Sequence, residues 1–382
     1  MNIKIIENVT LITPVDILRG RGILIKNGKI ASVFRMTEKP EIPEAEVFDG
    51  ENHYALAGMI DLHIHGFGGH GVETGTQKDL LAMSDILAKN AVTAFCPTLY
   101  CAKPVDMIAL IKKLAPAIGK EKGAKIIGFH LEGPFISPKK PGVMKPEDIA
   151  PADVELFKKL YEAAEGKIAS VTLAPELKNI EPIIDFCREH KILIQAGHTN
   201  ATYEEFVTGI RQGIRHATHL FNAMSPFTQR APGAAGAVLM SPEVSCEIIA
   251  DGVHVHPAIV NFLRTAKPLK NILLVTDALM PTAQEKPPFI ANGEEVVFEN
   301  GVWKRKSDGV IAGSGLTMAQ GIKNLVSFGY TLPQAVQCAT VNPARLLGLN
   351  KKGLLEEEKD ADIVLLDKDF TPRATFIAGE KI

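Results

Sequence analysis

The sequence lacks an excess of charge of either sign and lacks long hydrophobic runs. Its 42 lysines and arginines nearly balance 44 aspartates and glutamates, so the formal net charge is -2, and the basic residues are spread along the chain. Such a distribution gives no electrostatic footprint for nucleic acid or an anionic membrane. No apolar run approaches the ~18 residues of a membrane span. We therefore expect a small-molecule substrate, with no nucleic-acid partner and no membrane partner.

Cysteine is also sparse, with five residues that form no CxxC pair. An odd number without paired spacing predicts buried, reduced thiols. The first residues lack the basic start, the apolar stretch and the cleavage site of a signal peptide. These features predict a cytoplasmic protein.

The chain is long enough for a large core, because 46% of its 382 residues are hydrophobic. Length alone allows one large α/β barrel with an accessory module, or two to three ordinary domains. Short alternating strands broken by turns such as Asn27-Gly28 fill the first segment, and a similar signal returns over residues 361–367 and 374–377. We predict a small β-sandwich module built from residues 1–54 and 353–382.

The middle of the chain repeats a different rhythm, in which short apolar runs alternate with amphipathic helical stretches. The apolar runs predict eight strands at residues 57–63, 91–96, 125–131, 168–173, 192–195, 214–217, 245–250 and 272–276. Helices are predicted at residues 77–89, 104–114, 154–164, 180–189, 203–211, 318–327 and 332–338. Eight strand–helix units predict a (β/α)8 TIM-type barrel over residues 55–352 rather than an open doubly wound sheet.

Residues that can bind a metal or move a proton follow most of the predicted strands. They are His63 and His65, Glu132, His198, His219, Asp251 and Asp277. In a parallel barrel the C-terminal strand ends meet on one face, where barrel enzymes place their sites. A HxH pair on a strand points both rings to the same side, although such a pair alone is often incidental. Together the nitrogen and oxygen donors predict one or two divalent ions, Zn2+ or Fe2+.

Asp277 is the predicted catalytic carboxylate. Its alternative role is to cap the turn that follows the last predicted strand. As a functional group it would accept a proton from a water whose pKa falls to about 7 on a metal ion, and would pass it to a leaving amine. This chemistry predicts a hydrolase of amide bonds.

Other motifs are given structural interpretations. His53, His70, His130, His190, His216 and His256 are expected at the surface or in the core, whereas His254 is open between structure and substrate contact. Residues 66–71 fit the G-x-G-x-x-G pattern of dinucleotide sites, but no acid ends a second strand ~20 residues later. We expect a flexible loop at the rim of the metal site.

Seven motifs resemble one family, the N-acetylglucosamine-6-phosphate deacetylases of the amidohydrolase superfamily. They lie at residues 58–66, 128–135, 196–199, 218–224, 249–254, 275–278 and 312–314. In this resemblance Glu132 stands where many superfamily members carry a carboxylated lysine. The family's reaction is hydrolysis of the acetamide of N-acetyl-D-glucosamine 6-phosphate to D-glucosamine 6-phosphate and acetate.

The resemblance also implies roles for individual residues. Glu132, His198 and His219 would bind one divalent metal ion, His63 and His65 a second, and Asp277 would be the general base and acid. The implied substrate-binding residues are Asn222, Ala223, Arg230, His254 and Val143, with Ile311, Ala312 and Gly313 on the acetyl side. For Arg230 the alternative is a surface salt bridge. The family further implies a homodimer.

One departure from the family lies at residues 137–144, which lack a histidine that some members use on the sugar. Contacts to the sugar hydroxyls near Val143 therefore stay open. Two rival functions are another amidohydrolase, of the dihydroorotase or amino-acid deacetylase type, and a catalytically inactive barrel that serves as a scaffold. The inactive barrel would be marked by lost metal ligands, and none is lost here.

Overall fold

The two ends of the chain form one eight-stranded sheet. The computed structural model describes residues 2–73 and 75–382. The strands of this sheet are Ile3–Ile12, Ile17–Lys26, Lys29–Arg35, Glu46–Asp49, Tyr54–Ala57, Ile363–Leu366, Pro372–Ile377 and Glu380–Lys381. The strand Tyr54–Ala57 lies at the centre, parallel to Ile3–Ile12 and antiparallel to Ile363–Leu366.

Alternating side chains of this sheet are buried on both of its faces. In the second strand Ile23 and Ile25 join one buried cluster, whereas Leu24 between them joins another. Because successive side chains of a strand point to opposite faces, each face of the sheet has its own core. Asn27 and Gly28 make the predicted turn, both with positive φ, 50° and 79°. The expected module built from both chain ends is confirmed.

Eight parallel strands in chain order make the barrel. They are Met59–Ile64, Val92–Leu99, the interrupted strand Lys125–Ile126 with Phe129–Glu132, Ile168–Leu173, Leu193–Ala196, His216–Ala217, Ser245–Ile249 and Ile272–Val275. The first and last strands meet through a bridge between Ile64 and Ala278, so the barrel closes. The predicted (β/α)8 architecture is confirmed.

Helices cover the outside of the barrel. They are Gln77–Lys89, Pro104–Leu114, Val154–Ala163, Glu181–Glu189, Tyr203–Gln212, Gly233–Met240, Pro257–Ala266, Met318–Ser327, Leu332–Ala339 and Val341–Leu346. Short 3-10 helices lie at Met36–Glu38, Ala115–Ala117, Pro146–Asp148 and Leu269–Asn271. Thr76, Thr202 and Thr331 start their helices with capping boxes, in which side chains satisfy the free N–H groups of the first turn. No helix in the described part of the chain has the length and apolarity to cross a membrane.

Gly58 divides the strand that the sequence predicted over residues 57–63. Tyr54–Ala57 belongs to the sheet of the chain ends, and Met59–Ile64 belongs to the barrel. A Cβ atom at Gly58 would lie 1.9 Å from Oγ1 of the buried Thr93, so only glycine fits at this crossing. The end sheet therefore continues to Ala57, beyond residue 54.

A four-stranded antiparallel sheet after the last barrel strand was not predicted. Its strands are Ile290–Ala291, Glu294–Glu299, Val302–Arg305 and Ile311–Ser314, and we call it the insert sheet. Trp303 of this sheet is buried in a cluster with Tyr100, Met144 and Leu279. The insert sheet thus packs over the C-terminal face of the barrel.

Candidate active site at the C-terminal face of the barrel

Six predicted metal or catalytic residues converge at the C-terminal ends of the barrel strands. They form two groups of possible metal ligands, His63 with His65 and Asp277, and Glu132 with His198 and His219. All six are buried, with at most 8% of their surface exposed. The structure therefore brings together residues that are more than 200 positions apart in the sequence.

The second group has the geometry of a metal site. Oε1 of Glu132 lies 3.1 Å from Nε2 of His198 and 3.0 Å from Nε2 of His219, and the two Nε2 atoms are 3.2 Å apart. Ligands at about 2.0–2.1 Å from a tetrahedral ion are about 3.3 Å from one another. The residues present therefore fit a divalent ion.

The tautomer of His198 suits this role. Its Nδ1 is 2.9 Å from the carbonyl oxygen of Lys140, and a carbonyl can only accept. The proton of a neutral ring is therefore on Nδ1, which leaves the lone pair of Nε2 for an ion.

The first group lies beside the second, with Glu132 between them. Nε2 of His65 is 3.3 Å from Oε2 of Glu132 and 3.4 Å from Oδ1 of Asp277, and Nε2 of His63 is 3.5 Å from that same Oδ1. On their other sides, Nδ1 of His63 donates to Glu247 at 3.0 Å and Nδ1 of His65 donates to the carbonyl of Thr98 at 3.2 Å. Both Nε2 atoms therefore face Glu132 and Asp277.

Buried negative charge dominates this region. Burial by itself lowers the pKa of His63, but the charges of Glu132, Glu247 and Asp277 raise it to about 10. Burial raises the pKa of Glu132, yet the neighbouring histidines hold it well below its ordinary value. Three carboxylates around one buried imidazole favour a positive charge at this place. That charge can be a proton on the ring or a divalent metal ion beside it.

Three site residues have backbone conformations that L-amino acids rarely adopt. His198, His219 and Asp277 have φ values of 45°, 25° and 49°. The Asp277 N–H donates to the carbonyl of His63 at 2.9 Å, and the His219 N–H donates to Glu247 at 3.0 Å. Such conformations cost on the order of 1–3 kcal/mol each and persist where surrounding bonds hold them. The strand ends are therefore bent into the site and fixed there.

A cavity of about 390 Å³ opens above these groups. Its walls contain seven of the eight predicted substrate-binding residues, namely Val143, Asn222, Ala223, His254, Ile311, Ala312 and Gly313. Arg230 is not among the lining residues. Its exposed side chain lies at a separate cavity of about 300 Å³, with Thr228 and Tyr203.

The two other buried histidines make structural contacts. The ring nitrogens of His130 lie 3.1 Å from Oγ1 of Thr98 and 2.8 Å from Oγ1 of Thr172, and Nδ1 of His216 lies 2.7 Å from Oγ of Ser245. Burial, together with the charge of His63, lowers the pKa of His130 to about 3. These contacts agree with the expectation that neither histidine is a ligand. The G-x-G-x-x-G segment forms a short hairpin, Gly66–Phe67 with His70–Gly71, beside the site.

Four residues at the site were missed by the sequence-based interpretation. Glu247 is a fully buried carboxylate that contacts His63 and His219, and Tyr100 stacks on His65. Lys139 and Lys140 line the cavity and make no ion pair among the residues that the structure describes. A carboxylate inside the apolar run Ser245–Ile249 was the one available signal for Glu247.

Comparisons with known proteins agree on one family. The Amidohydrolase family model matches residues 54–382. An N-acetylglucosamine-6-phosphate deacetylase from Bacillus subtilis is 34% identical, over 98% of this chain and 96% of its own. A crystal structure of the deacetylase of that name from Pasteurella multocida has a TM-score of 0.93 at 30% identity and covers 100% of this chain and 99% of its own. A mutant of the deacetylase from Mycobacterium smegmatis, in complex with N-acetyl-D-glucosamine-6-phosphate, has a TM-score of 0.92 at 29% identity, with 100% and 99% covered.

Proposed function

This chain belongs to the amidohydrolase family, and we propose that it hydrolyses the acetamide of N-acetyl-D-glucosamine 6-phosphate to D-glucosamine 6-phosphate and acetate. The reaction would belong to amino-sugar metabolism. The observation that supports the proposal is the cavity itself, whose lining includes Asp277, the possible metal ligands Glu132, His198 and His219, and side chains suited to a sugar phosphate and to a methyl group. Full-length relatives with this activity in their names support the choice of substrate.

Glu132, His198 and His219 would hold a divalent ion, Zn2+ or Fe2+. When bound, such an ion polarises a carbonyl and lowers the pKa of a neighbouring water to about 7. His63 and His65 would contribute to a second position, shared with Asp277. Because Glu132 lies between the two groups, its carboxylate could serve both positions.

Asp277 would act first as the base and then as the acid. It accepts one proton from the water whose oxygen attacks the acetamide carbon, and it donates that proton to the nitrogen as the carbon–nitrogen bond breaks. Burial raises the pKa of Asp277, but His63 and His65 lower it below its ordinary value, so the carboxylate is ready to accept. His65 also fixes the position of the carboxylate through the 3.4 Å contact to Oδ1.

The cavity walls suggest how the substrate would be oriented. Ala312 and Gly313 of the insert sheet, with Ile311, offer a small apolar wall for the acetyl methyl. His254, with Asn222 and Ala223, would bind the phosphate. Lys139 and Lys140 add positive charge to the same cavity, which suits a dianionic ligand. A role for Arg230 on the phosphate stays a prediction from the resemblance.

We also propose that the protein works as a homodimer in the cytoplasm. The family resemblance supports the dimer, and exposed apolar side chains at Phe227, Met240, Ile259 and Phe262 would suit an interface. Light scattering of the purified protein measures the oligomeric state directly, and a monomer across the micromolar range contradicts this proposal.

The decisive experiment measures acetate release together with metal content. Purified protein should contain bound divalent metal and release acetate from N-acetyl-D-glucosamine 6-phosphate far faster than from N-acetyl-D-glucosamine. Equal rates on the two compounds would exclude a phosphate-specific deacetylase and favour another amidohydrolase of the dihydroorotase or amino-acid deacetylase type. No turnover with metal bound would favour the inactive barrel.

A further inference from the structure

Asp251 directs both of its carboxylate oxygens at one loop. It follows the seventh barrel strand, Ser245–Ile249, by two residues. Its Oδ2 lies 2.5 Å from Nδ1 of His254, and its Oδ1 accepts the backbone N–H groups of Val253 and His254 at 2.8 and 2.9 Å. The carboxylate of Asp251 therefore accepts three hydrogen bonds, which hold both the backbone and the ring of His254 in place.

This pair is buried, yet His254 reaches the cavity. The side chains of Asp251 and His254 are 4% and 6% exposed, and His254 is one of the cavity-lining residues. Its Nδ1 is taken by Asp251. Within residues 2–73 and 75–382, no group forms a hydrogen bond with Nε2 of His254, and this atom is accessible from the cavity. Nε2 is thus the ring nitrogen left for a ligand.

The surroundings of His254 favour its charged form. Burial by itself lowers the pKa of this imidazole, but the hydrogen bond and the charge of Asp251, with the charge of Asp277, raise it above its ordinary value. In the charged form Nδ1–H donates to Asp251 and Nε2–H is a second donor. A donor that carries positive charge forms shorter and stronger bonds to phosphate oxygens than a neutral one does.

We propose that Asp251 is the positioning residue of the phosphate subsite, which fixes the ring of His254 so that Nε2–H donates to the phosphate of the substrate. The proposal rests on the proposed function, and it adds a residue that acts only through His254. Without the carboxylate, a neutral ring could place its single proton on either nitrogen, and the ring could rotate. Affinity for the phosphate would then fall while the chemistry at Asp277 continues.

The first test separates binding from chemistry. Asp251→Asn keeps the size of the side chain and removes its charge, so KM for N-acetyl-D-glucosamine 6-phosphate should rise about 10- to 100-fold, by analogy with the range typical of residues that orient a metal-ligating histidine. The kcat should stay within about threefold of the wild-type value. The variant loses binding energy that acts equally on the substrate and the transition state, whereas the groups that perform the reaction are unchanged. Inhibition by inorganic phosphate should weaken in parallel. A fall in kcat with unchanged KM, or unchanged phosphate inhibition, would overturn the proposal.

The second test asks whether Asp251 acts through His254. His254→Gln should raise KM at least as much as Asp251→Asn, and the double variant should be no worse than His254→Gln alone. Additive effects would mean that Asp251 has a separate, structural role and would refute the proposal. Asp251→Glu retains the charge and should give a KM between those of the wild type and Asp251→Asn, which keeps the test available if the Asn variant does not fold. A KM for the Glu variant equal to or above that of His254→Gln would contradict a role for the charge.

The proposed function can fail independently of this inference. If wild-type protein does not hydrolyse N-acetyl-D-glucosamine 6-phosphate, the proposed function is wrong. If the wild type does so and Asp251→Asn has a normal KM, only the role of Asp251 is wrong.

Discussion

Glu247 accepts a hydrogen bond from Nδ1 of His63 at 3.0 Å, and neither side chain has any exposed surface. The same oxygen accepts the backbone N–H of His219 at 3.0 Å. One buried carboxylate therefore connects a residue from each of the two groups of possible metal ligands. Both contacts depend on a charge that the neighbouring histidines stabilise, because they hold the pKa of Glu247 well below its ordinary value despite burial.

We expect Glu247→Gln to weaken metal binding about 10- to 100-fold, since partners behind a ligand commonly contribute this much. The side-chain amide of the variant can still accept a hydrogen bond from one donor, but it carries no negative charge to stabilise the orientation of the His63 ring. Competition with a chelator measures the affinity. Glu243→Gln, at an exposed glutamate four residues earlier in the chain, is the matched control and should bind metal normally. Normal metal affinity in Glu247→Gln would show that the contact is incidental.

Glu132 and His63 should differ in their effect on metal content. Glu132 contacts ligands of both groups, so Glu132→Gln should remove all tightly bound metal and lower kcat/KM by at least about 1,000-fold. His63→Gln changes only one group and should leave the ion at Glu132, His198 and His219 in place. Elemental analysis after dialysis distinguishes the two variants. Equal metal content in both would contradict the division into two groups.

Asp277→Asn should retain the metal and lose most of the rate. General acid–base groups typically contribute about 100- to 10,000-fold, and this residue would perform both proton transfers. We therefore expect kcat to fall by about 1,000-fold or more with a KM close to that of the wild type. Asp308→Asn, on the exposed turn of the insert sheet, serves as a control. Turnover of Asp277→Asn within tenfold of the wild type would exclude Asp277 as the base.

Gly58→Ala should lower the free energy of unfolding without changing the catalytic residues. The added methyl would lie 1.9 Å from Oγ1 and 2.4 Å from Cγ2 of Thr93, a buried residue that cannot withdraw. Overpacking of this kind costs about 1–3 kcal/mol or more. Gly293→Ala has open space and only a positive φ of 70°, so it should cost about 1 kcal/mol. Urea denaturation of both variants tests this order, and equal losses would contradict it.

Glu73 should make stability depend on pH. Burial raises its pKa from 4.5 to about 7, against the opposing effects of His65 and the Asn292 N–H. Between these pH values the folded state holds a proton that the unfolded chain has lost, so stability falls as pH rises through this window and is constant above it.

Glu73→Gln should reduce this slope, and the buried Asp61, whose pKa burial also raises to about 7, should retain part of it. The amide can still accept from the Asn292 N–H, which lies 2.7 Å from Oε1 in the wild type. Compared with the wild type, the variant should therefore gain stability between pH 5 and pH 8 in denaturant titrations. Glu295→Gln, an exposed position, should leave the slope unchanged. Parallel pH profiles for the wild type and Glu73→Gln would contradict the assignment.

Local signals explain what the sequence predicted well. The strand Ile168–Leu173 and the helix Gln77–Lys89 have the predicted bounds, because each has a clear apolar period and a turn or capping residue at its ends. The possible metal ligands were predicted because they follow such strands. Those patterns depend only on neighbours in the chain.

The misses involve contacts between distant segments. The insert sheet is stabilised by Trp303 packing near Tyr100, some 200 residues earlier. Its longest strand, Glu294–Glu299, is mostly partly or fully exposed and contains three glutamates. Gly58 divides two sheets because a side chain at this position would collide with Thr93. Contacts of this kind cannot be predicted from the periodicity of apolar residues along the sequence.

The insert sheet has a consequence for how this enzyme class can diversify. Ile311, Ala312 and Gly313, which we propose to face the acetyl group, belong to a strand outside the barrel, whereas Asp277 and the possible metal ligands lie at the C-terminal ends of barrel strands. Under the proposed function, changes of sequence in the insert sheet would therefore reshape the acyl pocket while the strand ends that carry Asp277 and the possible metal ligands keep their positions. Recognition of the acyl group and cleavage of the bond can evolve on separate parts of the chain.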